Sequence, residues 1–284
     1  MKKTLLLMLS TMLILIPHET LASDLTSLSP GKNEIRIEHD GISRRLIVTT
    51  PKTFDRQGVY PILFCFHGAG GKADGPSERW SPHADKHGLI VISAEAVQSL
   101  TKWNFMDDFH AVNYDDVGFI TKVVELLIEQ KIADPKAIYA TGHSSGGLFC
   151  YRLAKETDLF AAVSPMSCGM AKGAHDPDKK TKPISIMQVI GTQDKSYNGS
   201  SNEKVTMYSA RERIDIWRRF NQCNPNPVVE KKGEEIVLYT YSNAATGIEV
   251  VLCEVKDQGH HIRRDLRDRA DSIAINLLLR HKRK

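Results

Sequence analysis

An α/β fold, with a mostly parallel central sheet and helices on both faces, follows from two features of these 284 residues. Short, almost uninterrupted apolar runs recur along the chain, as strands covered on both faces require. Stretches with apolar residues at helical spacing separate them, and strands alternating with helices become parallel neighbours. Composition agrees. With 41% hydrophobic and 25% charged residues, the chain is neither disordered, collagen-like nor a multi-span membrane protein.

The chain begins with Lys2 and Lys3, an apolar run from Leu5 to Ile16, and a polar stretch ending Thr20-Leu21-Ala22. This is the layout of a secretory signal cleaved after Ala22. The apolar run is too short to span a bilayer comfortably, and no cysteine follows it to carry a lipid anchor. Residues 1–22 are therefore expected to be removed and 23–284 to form one domain, periplasmic or secreted, with no stable membrane anchor. Losing Lys2, Lys3 and Glu19 takes the formal charge from +4 to +3. Such mild basicity does not single out nucleic acid as a partner, and His281-Lys282-Arg283-Lys284 reads as a solvated tail after a helix.

Alternation in Glu34-Ile35-Arg36-Ile37-Glu38, the turn signal Asp40-Gly41 and the run Arg45-Leu46-Ile47-Val48 predict an opening antiparallel hairpin. The buried strands are expected at Pro61 to Phe66, Leu89 to Ser93, Ala137 to Ala140, Ala161 to Ser164, Ile184 to Ile190 and, more alternating, Ile248 to Val255. Helices are expected from Asp115-Asp116 through Ile128, from Ser145 to Lys155, from Met207 to Phe220 and from Asp265 to Leu279. Cys65 and Cys150 fall inside a strand and a helix and read as small core residues. If the exported chain forms a bridge, Cys168, Cys223 and Cys253 are where it is expected. None of the five cysteines has metal-site spacing.

Gly142-His143-Ser144-Ser145-Gly146-Gly147 stands between a strand and a helix. A G-x-S-x-G run in that context makes a tight turn that lifts the serine hydroxyl above the carboxyl edge of the sheet, the nucleophile position of the α/β-hydrolase fold. A serine hydroxyl needs a histidine base held by a carboxylate, and in this fold the partners follow in the order acid, then histidine. Asp194 ends Gly191-Thr192-Gln193-Asp194 after one buried strand, and His260 follows Gly259 after another. His261 competes directly for the base, with Gly259 favouring His260; Asp257, Asp176 and Asp178 compete less well for the acid. The oxyanion formed on attack needs backbone donors, expected at Ser145 and, from His67-Gly68-Ala69-Gly70-Gly71, at Ala69. The connection from Ala96 to Asn113 carries Trp103, Phe105 and Phe109, which either wall the substrate pocket or pack the loop. Trp103 and His67 are the residues expected to face substrate.

At this point the sequence resembles the secreted polyhydroxybutyrate depolymerase and feruloyl esterase-like proteins, including the LpqC type. The resemblance rests on Phe66-His67-Gly68-Ala69-Gly70-Gly71, Trp103-Asn104, Asp115-Asp116-Val117-Gly118-Phe119-Ile120, Ala140 through Gly147 with Tyr151-Arg152-Leu153-Ala154, Gly191 through Asp194, Tyr197-Asn198-Gly199, Trp217, Asn221-Gln222-Cys223 and Gly259-His260. It implies an α/β-hydrolase core and hydrolysis of small or polymeric esters, feruloyl or acetyl carbohydrate esters or hydroxyalkanoates among them, without metal or organic cofactor. It also implies the roles already read for Ser144, Asp194 and His260. Two departures stand out: His261-Ile262-Arg263-Arg264 where similar chains carry Trp-Pro, and Ile190 where many carry histidine. A serine peptidase or an acyltransferase would share the same constellation, whereas a non-catalytic binding module would have no need of it.

Overall fold

The computed structural model describes residues 25–97, 102–109 and 114–283; the expected signal, residues 1–22, lies outside them. A 3-10 turn at Leu25–Ser27 leads into β1 (Gly31–His39) and β2 (Ile42–Thr50), an antiparallel hairpin turned at Asp40-Gly41. Both turn residues have positive φ, as a two-residue hairpin turn of the twist-matching kind requires. There follow β3 (Tyr60–Phe66), α1 (Asp74–Trp80), α2 (Pro82–His87), β4 (Ile90–Ala94), α3 (Asp116–Glu129), β5 (Ala133–His143), α4 (Ser145–Glu156), β6 (Ala162–Met166) and β7 (Ser185–Gly191). A small ribbon, β8 (Ser200–Ser201) and β9 (Thr206–Met207), precedes α5 (Ala210–Phe220). The chain ends with β10 (Val228–Lys232), β11 (Ile236–Ser242), β12 (Glu249–Val255) and α6 (Arg264–Leu278).

Ten strands form one sheet in the order β1-β2-β4-β3-β5-β6-β7-β12-β11-β10. The six strands from β4 to β12 run parallel, and the two at each edge continue it antiparallel. Every residue of β4, β6 and β7 is buried, which is why those segments read as unbroken apolar runs. One face is covered by α3, α4 and α5, whose Phe119, Val123, Phe149, Leu153, Ile214 and Trp217 pack on Phe64 and Ile138. The other carries α1, α2 and α6, with Trp80, Ala84, Leu266, Ala270 and Ala274 against Leu63, Val91 and Met187. The fold is that of an α/β-hydrolase: a mixed, mainly parallel sheet between helical layers, with an antiparallel hairpin at its start.

Helix ends follow local chemistry. Asp115 accepts from the Gly118 N–H at the start of α3, and Ser209 with Glu212 forms a reciprocal capping box on α5. Two pieces carry no clear signal in the sequence. Helices α1 and α2 are short and include Gly75, Pro76 and Pro82, and β10 is exposed at every residue. Val228 and Val229 stand open on that edge, followed by Glu230, Lys231 and Lys232, charges that discourage a neighbouring strand.

All five cysteines are buried and free. The bridge sought among Cys168, Cys223 and Cys253 is absent; Cys253 belongs to the core on one face of the sheet, apart from Cys168 and Cys223 in the core on the other. Burial pushes the Cys168 and Cys253 thiols up to about 12. A thiol reagent should accordingly leave the native protein nearly untouched, and in denaturant without reductant should titrate all five thiols. Three thiols or fewer under those conditions would contradict the arrangement.

Candidate active site

Ser144 occupies the junction of β5 and α4 with φ 54° and ψ −116°. A serine held there stores strain of roughly 1–3 kcal/mol, so the surroundings must impose it. They do so through backbone. The Ser144 N–H donates to the Met166 carbonyl at 2.9 Å, and its own carbonyl accepts from Gly147 and Leu148. A Cβ on Gly142 would overlap the backbone of Gly146; one on Gly146 would lie 2.5 Å from the Phe66 carbonyl oxygen; one on Gly147 would lie 2.6 Å from Cys168 Sγ. Ser144 is formally the N-cap of α4, yet its hydroxyl makes no capping bond.

The loop after β3 lies against this turn. An ideal Cβ on Gly68 would be 3.4 Å from Ser144 Cβ. Residues 68–71 close a turn through Gly71 N–H to the Gly68 carbonyl at 3.0 Å, with Gly70 at φ 77°. Ala69 is exposed at its tip, and among the described residues its N–H has no acceptor. Ser145, the first residue of α4, has an N–H beyond the reach of any intrahelical carbonyl. Two backbone donors thus flank the serine from the loop and the helix.

Trp103 and His67, both expected to meet substrate, differ: His67 is among the residues lining a cavity beside the Ser144 turn, and Trp103 is not. Trp103 has no exposed surface: its ring stacks on Phe149 at 4.9 Å and meets Phe66 edge-on, and Nε1–H donates to the His67 carbonyl at 3.1 Å. Its N–H also donates to Ser145 Oγ. His67 accepts the Ala96 N–H at Nε2, so the proton sits on Nδ1, which donates to the Gly68 carbonyl at 2.7 Å. Both ring nitrogens are occupied by backbone, and burial lowers the pKa of this imidazole. Trp103 and His67 therefore brace the two donor segments from behind. The same connection is tied to the hairpin: Asn104 N–H donates to Asp116, whose other oxygen accepts from the buried Arg44 at 2.7 Å. Phe105 is buried as well, and the residues between 109 and 114 lie outside those described.

Asp194 and His260 come together. His260 Nδ1 is 2.9 Å from Asp194 Oδ2, while Asp194 Oδ1 accepts from both the N–H and the hydroxyl of Ser196, each at 2.8 Å. Burial raises the Asp194 pKa, but the hydrogen bonds from His260 and Ser196 outweigh it and bring the carboxyl to about 2. His261 is exposed and has no carboxylate partner among the described residues; its ring stacks on His143 at 5.5 Å. Asp257 serves the turn, its N–H bound to Thr192 Oγ1, and Asp176 accepts from Gly173 and Tyr208. The two loops are interlocked by Gln193 N–H to the Gln258 carbonyl at 2.8 Å, and a Cβ on Gly191 would overlap Gln258. Between Ser144 Oγ and His260 no hydrogen bond is formed among the described residues; such contacts tighten when substrate binds.

Sequence reasoning passed over two residues of this constellation. Ser196 is legible only as a serine two positions beyond a loop aspartate. His143, the variable residue of the serine motif, donates from Nε2 to the His260 carbonyl at 3.2 Å. Burial, with neighbouring positive charge, lowers its pKa to about 4. No described residue cluster near Ser144 has a metal-binding arrangement; the one group of suitable side chains, His39, Asp40 and Asp115, lies on the outer edge by the hairpin.

Residues 102–218 match the prolyl oligopeptidase family. Feruloyl esterase B of Piromyces equi is 28% identical over 231 residues, 76% of this chain and 42% of that protein. A bifunctional acetylxylan esterase/xylanase of Neocallimastix patriciarum is 22% identical over 70% of this chain and 28% of its own length. The acetyl xylan esterase of Aspergillus awamori superposes with a TM-score of 0.63 at 14% identity, covering 84% of this chain and 98% of that one. The LpqC poly(3-hydroxybutyrate) depolymerase of Bordetella parapertussis gives 0.54 at 18% identity, over 68% of this chain and 79% of that one. The chain is thus similar to feruloyl and acetylxylan esterases in sequence and shares the α/β-hydrolase fold with the solved esterases. It spans less than half the length of the two curated relatives just given.

The turn at Ser144 has a direct test. Gly142→Ala forces a methyl group into the Gly146 backbone, and overpacking of this kind costs about 2–3 kcal/mol. Urea unfolding should show that loss, with reaction at Ser144 falling further than stability. An unchanged midpoint would mean that the turn is looser than described.

Proposed function

We propose that this chain hydrolyses carboxylic esters through a Ser144-His260-Asp194 triad and a covalent acyl-enzyme. The observation that carries the reading is the strained turn that presents Ser144 Oγ free of its helix, beside a histidine whose Nδ1 is held by a buried carboxylate. His260 Nε2 takes the Ser144 proton as Oγ adds to the ester carbonyl. Asp194 accepts the Nδ1–H, fixes the tautomer and stabilises the imidazolium. The N–H groups of Ala69 and Ser145 receive the oxyanion. Collapse breaks the bond to the alkoxide, which leaves with the proton from His260. Water, deprotonated by His260, then adds to the acyl-enzyme and releases the acid and Ser144.

Relatives named for feruloyl and acetylxylan esters favour small or carbohydrate-borne carboxylic esters as the substrate class. The N-terminal pattern of Lys2, Lys3, the apolar run and Ala22 supports export to the periplasm or beyond. The prolyl oligopeptidase match at residues 102–218 favours one second reading, a peptidase with the same triad.

Ser144→Ala should lower hydrolysis of 4-nitrophenyl acetate by at least about 10³-fold, and Asp194→Asn by roughly 10³–10⁴-fold, with circular dichroism unchanged. Near-wild-type activity in Ser144→Ala overturns the mechanism. An aminoacyl 4-nitroanilide cleaved faster than the matching ester would replace the esterase reading with the peptidase one.

A further inference from the structure

A cavity of about 350 Å³ opens beside the Ser144 turn, within the size range of small-ligand sites. Its floor is the carboxyl ends of four parallel strands, at Phe66, Gly142, Met166 and Val189, and its walls are α1 and α6. Trp80, Pro76, Ile262 and Ala270 make those walls largely apolar. It adjoins the reacting centre through Gly68 and His143, both in its lining. Gly68 packs close to Ser144 Cβ, and His143 binds the carbonyl of His260.

The charges around it are of one sign. Lys72, Arg79 and Arg267 line the cavity, and no carboxylate does. Arg79 is occupied, bound through Nε and Nη2 to the buried Asp271. The other two are not spent in this way. Lys72 is exposed and forms no ion pair among the described residues. Arg267 has a single bond to the exposed Asp268, and its Nε is buried without a partner. A largely apolar cavity whose lining carries a lysine without an ion pair among the described residues and an arginine with one exposed partner is complementary to an apolar chain that carries an anion.

We propose that this cavity receives the acyl chain of a dicarboxylic half-ester, its apolar walls taking the methylenes and Lys72 and Arg267 the terminal carboxylate. The proposal rests on the esterase reading, because the acyl portion is the part bonded to Ser144 through both half-reactions. It makes Lys72 and Arg267 specificity-determining residues, and the free carboxylate the feature that separates good substrates from poor ones.

The test compares mono(4-nitrophenyl) adipate with 4-nitrophenyl 6-methylheptanoate, in which an isopropyl group of the same shape replaces the carboxylate. The ratio of their kcat/KM values should fall by about tenfold or more in Lys72→Gln/Arg267→Gln, the loss expected for a charge-assisted contact. In the wild-type enzyme the same ratio should fall as salt rises from about 0.05 M to about 0.5 M, since a partly exposed ion pair is screened. A ratio that moves less than about twofold in the variant and stays flat in salt overturns the assignment. Wild-type activity on 4-nitrophenyl acetate separates the two levels. If acetate is hydrolysed and the ratio does not move, the cavity assignment alone falls; if acetate is not hydrolysed, the esterase reading falls and takes this assignment with it.

Discussion

Backbone packed against backbone at one crossing fixes the geometry of everything else in this site. At Gly146 the first turn of α4 approaches the end of β3 so closely that a methyl group would lie 2.5 Å from the Phe66 carbonyl oxygen. Gly142 and Gly147 complete the approach on the β5 and β6 sides. With no side chain to hold the segments apart, the chain turns from strand to helix within one residue, and Ser144 absorbs the cost as a positive φ. The same closeness brings the loop after β3 alongside the start of α4, with Gly146 against the Phe66 and His67 carbonyls and Gly68 against Ser144. Strain at the serine and the close approach of the loop to the helix are consequences of a single packing constraint.

The remaining partners are delivered by a second close approach. Loops after β7 and β12 emerge from adjacent parallel strands, and Gly191 allows Gln258 to lie directly on it. Gln193 then binds the Gln258 carbonyl, and two residues further along that loop His260 meets Asp194. Ser196 spends two donors on the far oxygen of Asp194, which keeps the carboxylate ionised and oriented. His143 ties the two halves together, since it belongs to the serine turn and donates to the backbone of His260. Aromatic packing around Trp103 supports the donor side from beneath. The site is thus rigid where backbone positions matter and open where Ser144, His260 and the neighbouring cavity meet solvent.

How much of this was legible in the sequence depends on whether a local pattern carried it. The six buried parallel strands were readable because burial on both faces leaves apolar runs, and the glycines around Ser144 because only a tight turn needs them. The pairing of Asp194 with a histidine was readable from the order of strand ends, and Gly259 favoured His260 over His261, the histidine that does lie against Asp194. Helices α1 and α2 escaped because they are too short to show a period, and β10 because an exposed edge strand resembles a polar loop. Trp103 misled for a physical reason. An aromatic residue in a loop at the catalytic edge has the same appearance whether it faces a ligand or, as here, fills the space under the loop. The cavity was invisible in the sequence because Lys72 and Arg267 are almost two hundred positions apart and line one space only because α6 lies beside α1, joined to it by Arg79 and Asp271.

The central claim is that the Ser144 hydroxyl is the activated nucleophile of this fold. A fluorophosphonate, which bonds covalently to such an oxygen, tests it most directly through intact mass and peptide mapping. The account predicts one adduct per native chain, on the peptide containing Ser144, and none after unfolding. Label on another residue, or a well-folded protein that takes up no label, would contradict it.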